Sequence, residues 1–117
     1  MNLNVISKID IEYADTSYFN DEIQSEVNSF IYRLAQSCNK DNIGIIEYDD
    51  ELDTTNVINI SKRIWMRMLD RLAQRDPNEI CITNNDIEFT SEELYSIFRD
   101  IYNRASKEYD VIQLEWF

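Results

Sequence analysis

The chain has 117 residues, 44% of them hydrophobic, with seven tyrosines, five phenylalanines and two tryptophans. Such a length and composition describe one globular domain over 1–117 and exclude a disordered or fibrous chain. The 23 acids outnumber 11 bases, giving a formal charge of −12, which disfavours direct contact with nucleic-acid phosphate or an anionic membrane and favours a basic protein partner.

Leu3, Val5, Ile9, Ile11 and Tyr13 share one parity over residues 3–13, the pattern of a half-buried strand. Ala14 to Phe19 reads as a turn, and Asn20 offers a helix N-cap with Asp21 and Glu22 in the first turn, where the helix dipole favours negative charge. Ile23, Val27, Phe30, Ile31, Leu34 and Cys38 then recur at helical spacing, predicting a helix over 21–38. Four of the six residues in Ile43–Tyr48 are β-branched or aromatic, which predicts a second strand.

Val57-Ile58-Asn59-Ile60 fits two readings. As a strand it leaves Ser61 to cap a shorter helix; as helix it extends one stripe through Val57, Ile60, Ile64, Met68 and Leu72. The long helix is favoured, ending at Asp76-Pro77, because the residue before a proline is pushed out of helical geometry. Trp65, Met66 and Met68 sit among Ile64, Leu69 and Leu72 and are read as core.

Ile80–Thr83 and Ile87–Phe89 form a predicted hairpin across Asn84-Asn85-Asp86. Thr90 and Glu93 make a capping box for a helix that carries Leu94, Ile97, Phe98, Ile101, Tyr102 and Ala105. The last strand turns Ile112, Leu114 and Trp116 to one side. The predicted order is β-α-β-α-β-β-α-β: an α/β (α+β) domain whose mixed β-sheet packs with three helices.

Chemistry-bearing motifs are scarce. With no histidine in the chain, the usual zinc sets and the neutral-pH proton acceptor of nucleophilic catalysis are absent. Gly44 is the sole glycine, too few for a phosphate-cradling loop. Asp49, Glu51 and Asp53 alternate like calcium-loop ligands, yet the sixth and twelfth positions counted from Asp49 hold Thr54 and Ile60 instead of Gly and Glu. No catalytic residue, metal or cofactor is assigned, and no enzyme activity is expected. Cys38 and Cys81 lie 43 positions apart in apolar runs and read as reduced, buried thiols. Met1-Asn2-Leu3-Asn4-Val5 lacks a basic head followed by an apolar core, so no secretory leader is expected, and a cytoplasmic location follows.

Two charged segments remain. Residues 47–53 carry five carboxylates, and residues 62–75 carry five of the eleven cations, with Arg63, Arg67, Arg71 and Arg75 along one helix face. The acidic segment, Glu47, Tyr48, Asp49, Asp50, Glu51 and Asp53, is the predicted partner-binding site. The arginine stripe is read either as neutralised by the protein's own acids or as a grip for a phosphate or a partner carboxylate. The function these features favour is that of an acidic immunity protein, an antitoxin that covers the cationic surface of a basic, nuclease-type toxin. The alternatives are a nucleic-acid mimic directed at a DNA-binding defence enzyme and a non-catalytic adaptor or structural subunit.

Overall fold

The computed structural model describes residues 3–5, 18–19, 21–49, 56–105 and 107–116. Strand β1 (Leu3–Val5) is followed by a 3-10 turn (Asp21–Ile23) that leads into helix α1 (Gln24–Cys38). Then come β2 (Ile46–Asp49), β3 (Asn56–Ser61), α2 (Lys62–Gln74), the hairpin β4 (Ile80–Asn84) and β5 (Ile87–Thr90), α3 (Ser91–Arg104) and β6 (Val111–Trp116). The fold is α+β with three helices, as expected, and the predicted order is kept with one strand added. Residues 6–13 of the predicted first strand, and the Asn20 cap, lie outside the described residues. The 3-10 turn carries the chain into α1, whose N-cap position, Ile23, makes no side-chain capping bond.

The added strand is β3, which replaces the first turns of the favoured long helix. Ile58 and Ile60 are buried at alternate positions, and Ser61 is extended (φ −57°, ψ 139°), so α2 starts at Lys62 with no loop between strand and helix. Tertiary pairing decides the ambiguity. β3 lies between β6 and β2 in a sheet of order β1-β6-β3-β2, and a helix there would leave both neighbours' backbone groups unpaired. The β-branched run also suits a pleated surface better than a helix.

The sheet is not mixed: every pairing among the described strands is antiparallel. The hairpin forms a separate two-stranded sheet and so contributes no parallel pairing to the larger one. Its turn is where the sequence places it, with Asn85 in the left-handed region (φ 52°), which asparagine tolerates.

Register sorts the larger sheet into two faces. Ile46, Ile60 and Ile112 stand in one row; Tyr48, Ile58 and Leu114 stand in the next; Trp116 pairs with Leu3 at the end. Leu3, Ile60, Ile112, Leu114 and Trp116 are almost fully buried and share one core with the three helices. Each fully buried side chain of this kind contributes about 1.5–3 kcal/mol. In α2 the core residues are Ile64, Trp65, Met68 and Leu72, whereas Met66 is 53% exposed and accepts a contact from the Tyr102 hydroxyl at 3.7 Å. Trp65 donates its indole N–H to the Phe98 carbonyl at 2.9 Å, with the two rings 4.8 Å apart, which locks α2 to α3.

α3 carries the predicted capping box. Glu93 N–H donates to Thr90 Oγ1 at 3.3 Å, and the Thr90 N–H donates back to Glu93 Oε1 at 3.1 Å. Both cysteines are free; Cys38 is buried and Cys81 half-buried.

Candidate protein-interaction site

β2 is the last strand of its sheet and pairs only with β3, so its outer edge is unpaired among the described residues. Pleating splits the predicted acidic site between two faces. Tyr48 pairs with Ile58 in a core-side row, whereas Glu47 pairs with Asn59, and Asp49 with Val57, in the opposite rows. Those rows continue to Gln113 and Glu115 on β6. Glu47 is exposed. Asp50, Glu51 and Asp53 lie outside the described residues.

Tyr48 is held from the core. Trp116 is fully buried, and its indole N–H donates to Asn28 Oδ1 at 2.8 Å. The amide nitrogen of Asn28 donates in turn to the Tyr48 hydroxyl at 3.0 Å. One α1 side chain thus satisfies a buried donor and fixes the ring at the sheet edge. Beside it a shallow pocket of about 480 Å³ runs between α1 and β2, lined by Asn28, Ser29, Tyr32, Ile46 and Tyr48. Tyr32 is 47% exposed and Tyr48 39%, so two aromatic rings with polar tips stand at the rim.

The arginine stripe has a use that its sequence does not disclose. α1 has no basic residue in its last turn, and α2 supplies the cations instead. Arg71 donates to the Ser37 carbonyl at 3.0 Å and to its hydroxyl at 2.8 Å, and Arg67 donates to the Cys38 carbonyl at 3.2 Å. These are the orphan carbonyls of the α1 C-terminus, where positive charge is favourable. Arg67 also reaches Asp41 at 3.5 Å, and Arg75 reaches Glu79 at 3.9 Å, so only part of the stripe's neutralisation comes from acids.

Tyr18 links the start of the chain to α3. Its hydroxyl donates to Asp100 Oδ2 at 2.6 Å, and burial, followed by the Asp100 carboxylate, pushes the phenol above its ordinary range. Among the described residues no group of three or more Cys, Asp or Glu could hold a metal ion. No helix among them is long and apolar enough to cross a membrane.

No family model matches the chain, and no curated protein or solved structure is significantly similar to it.

Sequence reasoning placed Glu47 and Tyr48 on a strand but missed Asn28, Tyr32 and Glu115. Asn28 follows core Val27 on α1, and a polar residue there is the one signal that pointed to it. Glu115 joins the acidic rows only through β3–β6 register.

Proposed function

We propose that this chain is a protein-binding inhibitor of the immunity type, which engages a basic, nuclease-like toxin domain through the free edge of β2. The observation that carries the reading is the two-sided character of that edge. One side offers the aromatic rims of Tyr48 and Tyr32 around a shallow pocket, and the other offers the acidic register positions of Glu47, Asp49 and Glu115. Aromatic anchors supply most of the affinity at protein interfaces, while surrounding carboxylates steer and orient a cationic partner. A net charge of −12 extends that steering field over the whole molecule.

The test is affinity capture from the producing cell with the full chain as bait, at low and high salt. The baits are wild type, a charge variant (Glu47→Gln, Asp49→Asn, Glu115→Gln) and Tyr48→Ala. One basic protein held by wild type, lost from the charge variant and weakened by salt is the expected result. A partner held equally by all three baits refutes an interface at β2.

A further inference from the structure

A groove with a volume of about 740 Å³ runs between α1 and β4. α1 forms one wall through residues spaced three and four apart from Ser25 to Ser37, twelve residues or about 18 Å of helix. Four consecutive β4 residues, Ile80 to Thr83, form the other wall. Consecutive strand residues alternate between faces, so a groove that touches all four borders the strand edge-on. That edge is unpaired among the described residues: β4 pairs only with β5, and no backbone bond joins it to α1, which packs beside it. Ile80, at its mouth, is 51% exposed.

The sign of the charge is opposite to that of the rest of the protein. Arg33, Arg71 and Arg75 line the groove against a single acid, Glu26, in a chain of net charge −12. Two of these cations are set in place: Arg71 by its bonds to Ser37, and Arg75 by its position 5.8 Å over the Phe30 ring and by Glu79 at 3.9 Å. Arg33 is exposed and has no hydrogen-bond or ion-pair partner among the described residues. Glu26 Oε2 is buried, with no hydrogen-bond donor among the described residues. The groove therefore has on one wall a strand edge that is unpaired among the described residues, and cations along its length.

We propose that this groove binds an extended acidic peptide segment of a partner protein, added as a strand to the free edge of β4. About five extended residues span 18 Å at roughly 3.3 Å each. The peptide's main chain pairs with β4, and its carboxylates face Arg33, Arg71 and Arg75. The groove shares Ser25 and Ser29 of α1 with the Tyr48 pocket, but none of the residues that hold the peptide lies on β2.

The test is an amide and arginine side-chain NMR titration of the full chain with a five-residue peptide of alternating glutamate and valine. Its comparison ligands are the lysine–valine counterpart, inorganic phosphate, and two versions N-methylated on alternate backbone nitrogens. We expect shifts concentrated at Ile80–Thr83 and at the Arg33 side chain, and none with the lysine peptide. Arg33→Glu, at an exposed and unpartnered position, is expected to fold normally and to weaken binding about tenfold or more. Only one of the two methylated peptides should lose affinity, since alternate N–H groups face alternate ways. Four results overturn the proposal: no shift at about 1 mM peptide, equal binding of the lysine peptide, equal tolerance of both methylation patterns, or phosphate reproducing the same shifts.

Discussion

Asn28 is the position where core and surface are tied by one side chain, and its replacement by leucine tests that tie. Leucine keeps the bulk and removes both hydrogen bonds: the one accepted from buried Trp116 and the one donated to Tyr48. An orphaned buried donor costs about 1–3 kcal/mol, and a lost exposed bond adds about 0.5 kcal/mol or less. For 117 residues the unfolding entropy makes 1 kcal/mol worth about 4 °C, so Asn28→Leu should melt about 4–14 °C below wild type. Asn28→Asp is the decisive comparison, because it keeps the oxygen acceptor for Trp116 and gives up the amide donor. Thermal unfolding followed by near-ultraviolet circular dichroism reads both stability and the tryptophan environment. Asn28→Asp should stay within about 1 kcal/mol of wild type. Equal stability of Asn28→Leu and wild type, or equal loss in both variants, refutes the role assigned to the Trp116 bond.

Gly44 packs so closely on Ser61 that an added Cβ would overlap the Ser61 Cβ and Oγ, and that hydroxyl is tied by the Ile45 N–H at 2.7 Å. Gly44→Ala should therefore cost about 1–3 kcal/mol in urea unfolding. Thr90→Ala removes the α3 cap and should cost about 1 kcal/mol, while Thr90→Ser should restore most of it. The folded chain holds the Tyr18 proton more tightly than the unfolded chain, so the contribution of Tyr18 is complete below the unfolded value near 10 and falls as pH rises beyond it. Urea midpoints between about pH 9 and 11 should drop faster for wild type than for Tyr18→Phe; parallel curves would count against the Asp100 bond.

The elements legible in the sequence are those whose signals are local. The period of α1, the Thr90–Glu93 box, the Asn85 turn and the alternation of Ile112, Leu114 and Trp116 all depend on residues within a few positions of one another. Residues 57–60 failed this test because their apolar spacing serves either period; the tie was broken by β6, a partner more than fifty residues away in sequence. The candidate site divides the same way. Its acids stand out by density, but density says nothing about faces, and pleating put Tyr48 opposite Glu47. The arginine stripe was visible while its target was not. The shortage that explains it sits on α1, whose last turn has carbonyls to satisfy and no base of its own.

α1 is the wall shared by the arginine groove and the aromatic pocket at Tyr48. Ser29 lines both the arginine groove and the pocket at Tyr48, and it is exposed. An exposed helix position tolerates substitution within about 0.5 kcal/mol, so a bulky side chain there perturbs access more than stability. Ser29→Trp should weaken the acidic peptide in the groove and the basic partner at β2 together, whereas Ser29→Ala should leave both unchanged. Titration and capture with the same two variants separate the possibilities. A Ser29→Trp protein that keeps full peptide affinity would place the peptide away from α1 and refute strand addition along that wall. One that keeps the basic partner would move that interface off the aromatic rim and onto the carboxylate rows alone.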